Sequence, residues 1–280
     1  MRYTKLSITL NSTDKPPYFM GSQLRGAFGY ALKKVVCVNP SFDCNGCFAT
    51  QRCSFYEIYE DKNIFRKYRF DFDLSQKIYK FNFYLFETAC EELPYVISAF
   101  YKLFNNIGLG VERKIYNKLD LYINNSKYID ELPSNYIKEF ISNSYSPHII
   151  IKFITPLRIK SKNRYLKTTP SLESIILSIL NRSSSLKGDN SYQKFTHKIK
   201  YTQISSSLKY KSIQRYSSRQ KAKINLDGLV GYIEYKDLDK ISYDILKLGE
   251  LIGVGKQVVF GNGKIEVLEI IETKENKCKV

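Results

Sequence analysis

Cys37, Cys44, Cys47 and Cys53 fall within 17 residues with the spacing C-x6-C-x2-C-x5-C. Thiolates are soft donors, and four of them on one loop suit a tetrahedral, structural Zn²⁺. An iron–sulfur cluster uses the same ligands. The other two cysteines, Cys90 in a helix-like run and Cys278 in a polar tail, stand apart. A second chemical feature lies near the C-terminus, where Gly253-Val254-Gly255-Lys256 is followed by Phe260-Gly261-Asn262-Gly263-Lys264. Glycine reaches positive φ without penalty. Successive amides in such a loop can form a nest for anionic oxygens, with Lys256 and Lys264 adding charge. The loop follows a helix-like run and precedes a strand-like one. A dinucleotide fingerprint runs strand, loop, helix, and a Walker loop needs Ser or Thr after its lysine, where Gln257 stands here. An elongated polyanion lying over the loop fits this order. A tight glycine-rich connection without a ligand would use the same residues.

A third feature is the basic run 214–223, with Arg215, Arg219, Gln220 and Lys221 among its members. Arginine and lysine neutralise phosphates, while serine and glutamine reach phosphates or base edges. A solvated basic turn has the same composition. General acid–base chemistry has few imidazoles to draw on, since His148 and His197 are the only histidines.

Across 280 residues, 44 basic side chains face 27 acidic ones, a formal charge of +17. Such an excess points to a polyanionic partner, nucleic acid ahead of an anionic membrane surface. The 43% hydrophobic content supports packed cores rather than disorder. Most of the 23 tyrosines and 17 phenylalanines are expected in those cores or sheets, and any left exposed beside cations could stack bases. No secretory leader and no apolar run of membrane-spanning length is visible, so a cytoplasmic protein with reduced cysteines is expected.

The elements that must position these residues repeat. Gly108 and Gly110 echo Gly253 and Gly255 at an offset of 145 residues, each pair between a helix-like and a strand-like segment. Val111 stands where the second copy has Lys256. Strand-like alternation at 3–10, a helix over 21–36, strands over 67–72 and 77–86, a helix over 90–104 and a strand over 118–123 give the order β-α-β-β-α-β of a ferredoxin-like unit. A polar Asn/Ser-rich stretch follows. The order then returns with a strand at 149–154, a helix from 172, a basic excursion with a hairpin over 183–216, a strand over 224–235, a helix over 243–252 and a last strand over 264–271. Two α+β domains result: 1–140, ferredoxin-like with the cysteine loop 37–53 after its first helix, and 146–280, ferredoxin-like with the glycine loop 253–263.

With these features in hand, the chain resembles the CRISPR repeat-processing endoribonucleases of the RAMP superfamily, and the cysteine cluster resembles one subset of them. The segments that carry the resemblance are Gly21-Ser22-Gln23-Leu24-Arg25-Gly26-Ala27-Phe28-Gly29, then Phe153-Ile154-Thr155-Pro156-Leu157-Arg158-Ile159-Lys160, then Arg215 to Gln220 with Gly228 to Gly231, and the glycine loop, Gly253 to Gly263. The resemblance implies two RAMP domains with repeat RNA, or the mature CRISPR RNA, across their shared cleft. It implies cleavage by attack of a ribose 2′-OH on the adjacent phosphate, leaving a 2′,3′-cyclic phosphate and a 5′-hydroxyl, a chemistry that requires no metal. Many members carry a histidine in or just after the first helix, a position where this chain has none. Tyr30 and Lys33 on that helix, with His148 and His197 elsewhere, are the catalytic candidates. Arg25, Arg215, Arg219, Gln220, Lys221, Gly253, Gly255, Lys256, Gly261, Gly263 and Lys264 are the expected RNA contacts. A non-catalytic RNA-binding subunit of a CRISPR effector complex is the alternative on the same fold.

Overall fold

The computed structural model describes residues 1–61, 63–161, 163–189, 191, 196–217 and 221–271. The first half runs β1 (Arg2–Leu10), α1 (Gly21–Val36), β2 (Tyr68–Asp71), β3 (Lys80–Phe86), α2 (Leu93–Lys102) and β4 (Leu119–Ile123). Its antiparallel sheet has the order β2-β3-β1-β4, extended by short strands at the β4 side. The second half runs β5 (Ile149–Leu157), α3 (Leu172–Leu186), β6 (Thr202–Lys211), the hairpin β7 (Gln214–Ser217) and β8 (Ala222–Asn225), β9 (Gly228–Lys236), α4 (Lys240–Ile252) and β10 (Ile265–Glu269). Its sheet has the order β6-β9-β5-β10. Both orders place the first and third strands side by side in the centre, which is the ferredoxin-like arrangement expected from the element order.

Alternation explains β1, where Thr4, Leu6, Ile8 and Leu10 face the helices and the residues between them do not. Two departures from alternation mark where the halves meet. All four residues of β2 are buried. Tyr68 and Phe70 enter the first core, while Arg69 and Asp71 on the other face are buried too. At the end of β5, Thr155, Pro156 and Leu157 are buried in succession. There the Thr155 hydroxyl donates to the Gly261 carbonyl and the Gly263 amide donates to the Pro156 carbonyl. The glycine loop therefore covers the face of the sheet that solvent would otherwise reach.

The first core is aromatic, built around Phe28, Phe70, Phe83 and Phe100 with ring centroids 4.8–6.5 Å apart. The second is mainly aliphatic, with Ile149, Ile151, Ile175, Ile176, Ile179 and Leu246. Each half also reaches into the other. Phe260 of the glycine loop lies in the first core, and Phe86 of β3 lies in the second.

The duplication read from the glycine echo has a backbone counterpart. Gly108 closes the helical run after α2 with φ 80° and ψ 163°, and Gly253 closes α4 with φ 79° and ψ 159°. Gly110 and Gly255 follow at φ 82° and 85°. Within the basic excursion read as holding a hairpin over 183–216, Thr202–Lys211 form the long edge strand β6, and the hairpin β7–β8 follows it. The β6 sequence is polar because nearly all of it is exposed, so no apolar periodicity announces it.

Candidate nucleic-acid interface

α1 begins at Gly21, and a Cβ there would come within 3.0 Å of the Phe260 carbonyl. The missing side chain lets the tip of the glycine loop rest on the helix. One turn later Arg25 lies with its Cζ 4.6 Å from the Phe260 ring centroid and 4.5 Å from that of Tyr59. Arg215 of β7 lies 4.5 Å from the same Phe260 ring. Two guanidiniums from opposite halves thus converge on one aromatic side chain. Each has its Nε buried without an acceptor among the described residues.

Tyr59 holds Arg25 in place. Arg25 Nη1 donates to the Tyr59 hydroxyl at 3.2 Å, and that hydroxyl donates to the Arg25 carbonyl at 3.1 Å. Its ring lies flat on α1 because position 29 is glycine, where a Cβ would overlap the ring. Burial raises the Tyr59 pKa, only partly opposed by Arg25, so the hydroxyl stays protonated. Burial works against the Arg25 charge, but Tyr68 and Tyr59 outweigh it and its pKa is raised. Arg215 is shifted down by burial and by Arg25.

The glycine loop is employed differently from the expected nest. The amides of Gly253, Val254, Lys256, Gly261 and Gly263 donate to backbone carbonyls, and those of Gly255 and Lys264 donate to the hydroxyls of Ser178 and Thr155. Gly253, Gly261 and Gly263 are buried. The glycines let the loop pack within the seam, with a Cβ at 261 overlapping Phe72 and one at 255 meeting the Arg158 backbone. The committed amides are the correction to the nest reading. Lys264 pairs with Asp71 at 3.0 Å and Asp73 at 2.8 Å. Burial would raise the Asp71 pKa, but Arg69 and Lys264 prevail and hold it below the usual carboxylate range. Lys256 and Lys221 are exposed. Arg219 and Gln220 lie outside the described residues.

The structure does not bring the two histidines to this seam. His148 Nε2 pairs with Glu234 at 2.8 Å, at the start of β5, whereas the glycine loop meets the far end of that strand, about 30 Å along nine residues. His197 Nε2 pairs at 3.1 Å with Asp239, the N-cap of α4, while the loop leaves the other end of that 13-residue helix, about 20 Å away. Tyr30 is exposed on α1. Lys33 Nζ lies over the Phe42 and Phe55 rings, at 5.5 and 5.3 Å, on the cysteine-loop side of α1. Sequence reasoning missed Tyr59 and Phe260. The signal for the first was Gly29, a helix-interior glycine with no propensity reason to be there.

All four cluster cysteines line one cavity of about 490 Å³ beyond the C-terminal end of α1. Cys37 caps the helix, and the Cys47 amide donates to the Cys44 carbonyl at 3.4 Å across a turn with Gly46 at φ 65°. Burial raises the Cys44 pKa, against the pull of Lys33. Among the described residues, no three Cys, His, Asp or Glu side chains are already drawn into a ligand set. The donor types and the shared cavity fit a thiophilic ion, and binding would require the thiols to close inward.

No described helix is long and apolar enough to cross a membrane. Residues 1–125 match a family model named AF_1859_N, an N-terminal domain. Residues 151–265 match the family model of the CRISPR-associated endoribonuclease Cas6. No curated protein matches the chain. Among solved structures, a Cas6 (TTHB231) product complex superposes with a TM-score of 0.56 at 13% identity, covering 96% of this chain and 99% of that one. The Thermus thermophilus Cas6 (TTHB231) also superposes by itself, with a TM-score of 0.50 at 12% identity over 95% and 98% of the two chains. A Cas6 (TTHA0078) product complex gives 0.53 at 16% identity over 95% and 99%. The double ferredoxin-like architecture of these Cas6 structures thus extends over the whole chain, and its second half, residues 151–265, matches the Cas6 endoribonuclease family model.

Proposed function

We propose that the chain cleaves CRISPR repeat RNA at the seam between its halves, by attack of a ribose 2′-OH on the adjacent phosphate. The observation that carries this reading is the convergence of Arg25 and Arg215 on Phe260, each with a buried Nε lacking an acceptor. Two such cations suit the phosphorane, whose extra negative charge appears only in the transition state. Tyr59 positions Arg25, and the exposed Tyr30 and Lys256 lie on the elements that form the seam. Cleavage of a repeat RNA should proceed in excess EDTA, should stop when a single 2′-deoxy nucleotide replaces the attacking ribose, and should leave a cyclic phosphate. RNA left intact with and without added metal would remove the enzymatic claim.

The placement of both histidines away from the seam favours a second reading, an RNA-binding subunit of a CRISPR effector complex. Tight RNA binding without cleavage selects it.

For the cysteine loop, the proposed occupant is a structural Zn²⁺ held by Cys37, Cys44, Cys47 and Cys53, outside the cleavage chemistry. Elemental analysis should find one zinc per chain. A colourless protein excludes the iron–sulfur alternative. Chelation should raise hydrogen exchange over 37–59 while the β-sheets keep their protection, since ligand binding and local folding are linked. A metal-free protein with the same protection pattern would refute the assignment.

A further inference from the structure

A second cavity of about 680 Å³ lies beside the seam, between α3, the start of the glycine loop and the segment entering β2. Arg66, Arg158, Lys160, Arg182 and Lys256 line it, with no carboxylate among the described lining residues. Two of these cations are deeply buried. Arg182, 7% exposed, donates from Nε to the Ile252 carbonyl at 2.7 Å, and its Nη2 is buried without an acceptor. Arg158, 5% exposed, stacks 4.1 Å from the Tyr165 ring centroid, and its Nε also lacks an acceptor. A buried cation with unused donors is costly unless something anionic completes it. Burial, with Arg69 nearby, pushes the Arg182 pKa down to about 9. Phe65, Leu177 and Val259 supply apolar lining, and the Arg182 Cζ lies 5.3 Å from the Phe65 ring centroid. A lining that combines cations with apolar side chains suits a ligand with one charged end and one flat, poorly hydrated end.

We propose that this cavity binds a nucleotide through its phosphomonoester, with the phosphate on Arg182, Arg158 and Lys160 and the base against Phe65 and Leu177. The phosphomonoester could belong to a free nucleotide or to the phosphorylated end of an RNA strand, and the two share this chemistry. The site is separate from the Arg25–Phe260–Arg215 cluster and goes beyond the cleavage reading.

Calorimetric titration of the full chain with AMP, adenosine and inorganic phosphate tests it. AMP and phosphate should bind, and adenosine should not. Arg182→Met and the exposed-site variant Lys160→Ala should each weaken AMP binding about 10- to 100-fold, as expected for loss of a charge-assisted hydrogen bond. Lys160→Ala serves even if Arg182→Met fails to fold. Displacement of AMP by a 5′-phosphorylated oligoribonucleotide, but not by its 5′-hydroxyl form, identifies an RNA end as the source. Absence of displacement identifies a free nucleotide. No AMP binding, equal binding of adenosine, or AMP binding unchanged in Lys160→Ala would overturn the proposal. None of these readouts uses RNA cleavage, so an inactive nuclease with a filled pocket and an active one with an empty pocket are distinguished.

Discussion

Replacing Arg25 with alanine should slow single-turnover cleavage of a repeat RNA about 100- to 1,000-fold, the usual effect of removing one preorganised donor from a site of developing charge. The reason is geometric. Arg25 is fixed by the Tyr59 hydroxyl and by stacking on Tyr59 and Phe260, so its position costs little reorganisation when charge develops. Arg215 alone would remain, on a hairpin rather than a helix. Binding of uncleaved RNA should fall far less than the rate, because most affinity for a polyanion comes from many dispersed cations. Arg25→Lys should recover only part of the rate, since an ammonium cannot present the planar fork or stack as a guanidinium does. Comparable melting temperatures would verify that the fold is intact. A rate for Arg25→Ala within a few-fold of the parent would reject the role.

The largest stability effect is expected at Gly263. Its φ of 72° disfavours any side chain, and a Cβ would come within 3.0 Å of the Val254 carbonyl oxygen. That neighbour is backbone and cannot rotate aside, because the Val254 amide is bonded to the Gly263 carbonyl at 2.9 Å. Gly263→Ala should therefore cost about 3–4 kcal/mol, from left-handed strain plus displacement of packed backbone. In a chain of this size that lowers the melting temperature by about 10 °C. Gly46 is the control. It has a similar φ of 65° but nothing within 4 Å of an added Cβ. Gly46→Ala should cost only the conformational term, about 1 kcal/mol. Equal shifts in the two variants would show that loop packing at 263 is not what requires glycine.

Local pattern carried the fold well. Helices α1, α2 and α4 and the central strands β1 and β5 have strong periodicity, and the paired glycines announced the duplication. Where one half covers the other, pattern failed for a physical reason. Tyr-Arg-Phe-Asp at 68–71 reads as a half-exposed strand, yet Arg69 and Asp71 are buried because the second half packs on their face. The glycine loop reads as a ligand cradle because positive φ serves nests and tight packing alike, and only the bonding partners of its amides separate the two. Arg25 and Arg215 were legible as cations near the expected elements. Their convergence on Phe260 depends on a contact spanning 235 residues of sequence, which no local signal encodes. The places of His148, at the start of β5, and His197, beside the N-terminal end of α4, follow from tertiary packing rather than from any local signal.

Phe260 and Phe86, each sunk in the interior of the half it does not belong to, make the two lobes behave like interlocked joinery. Swinging them apart would withdraw an aromatic plug from each side at once. The relative placement of the two halves is therefore set when the chain folds. Under the proposed cleavage at this seam, no jaw-like closing motion would be needed to assemble the arginine pair, which already meets on Phe260.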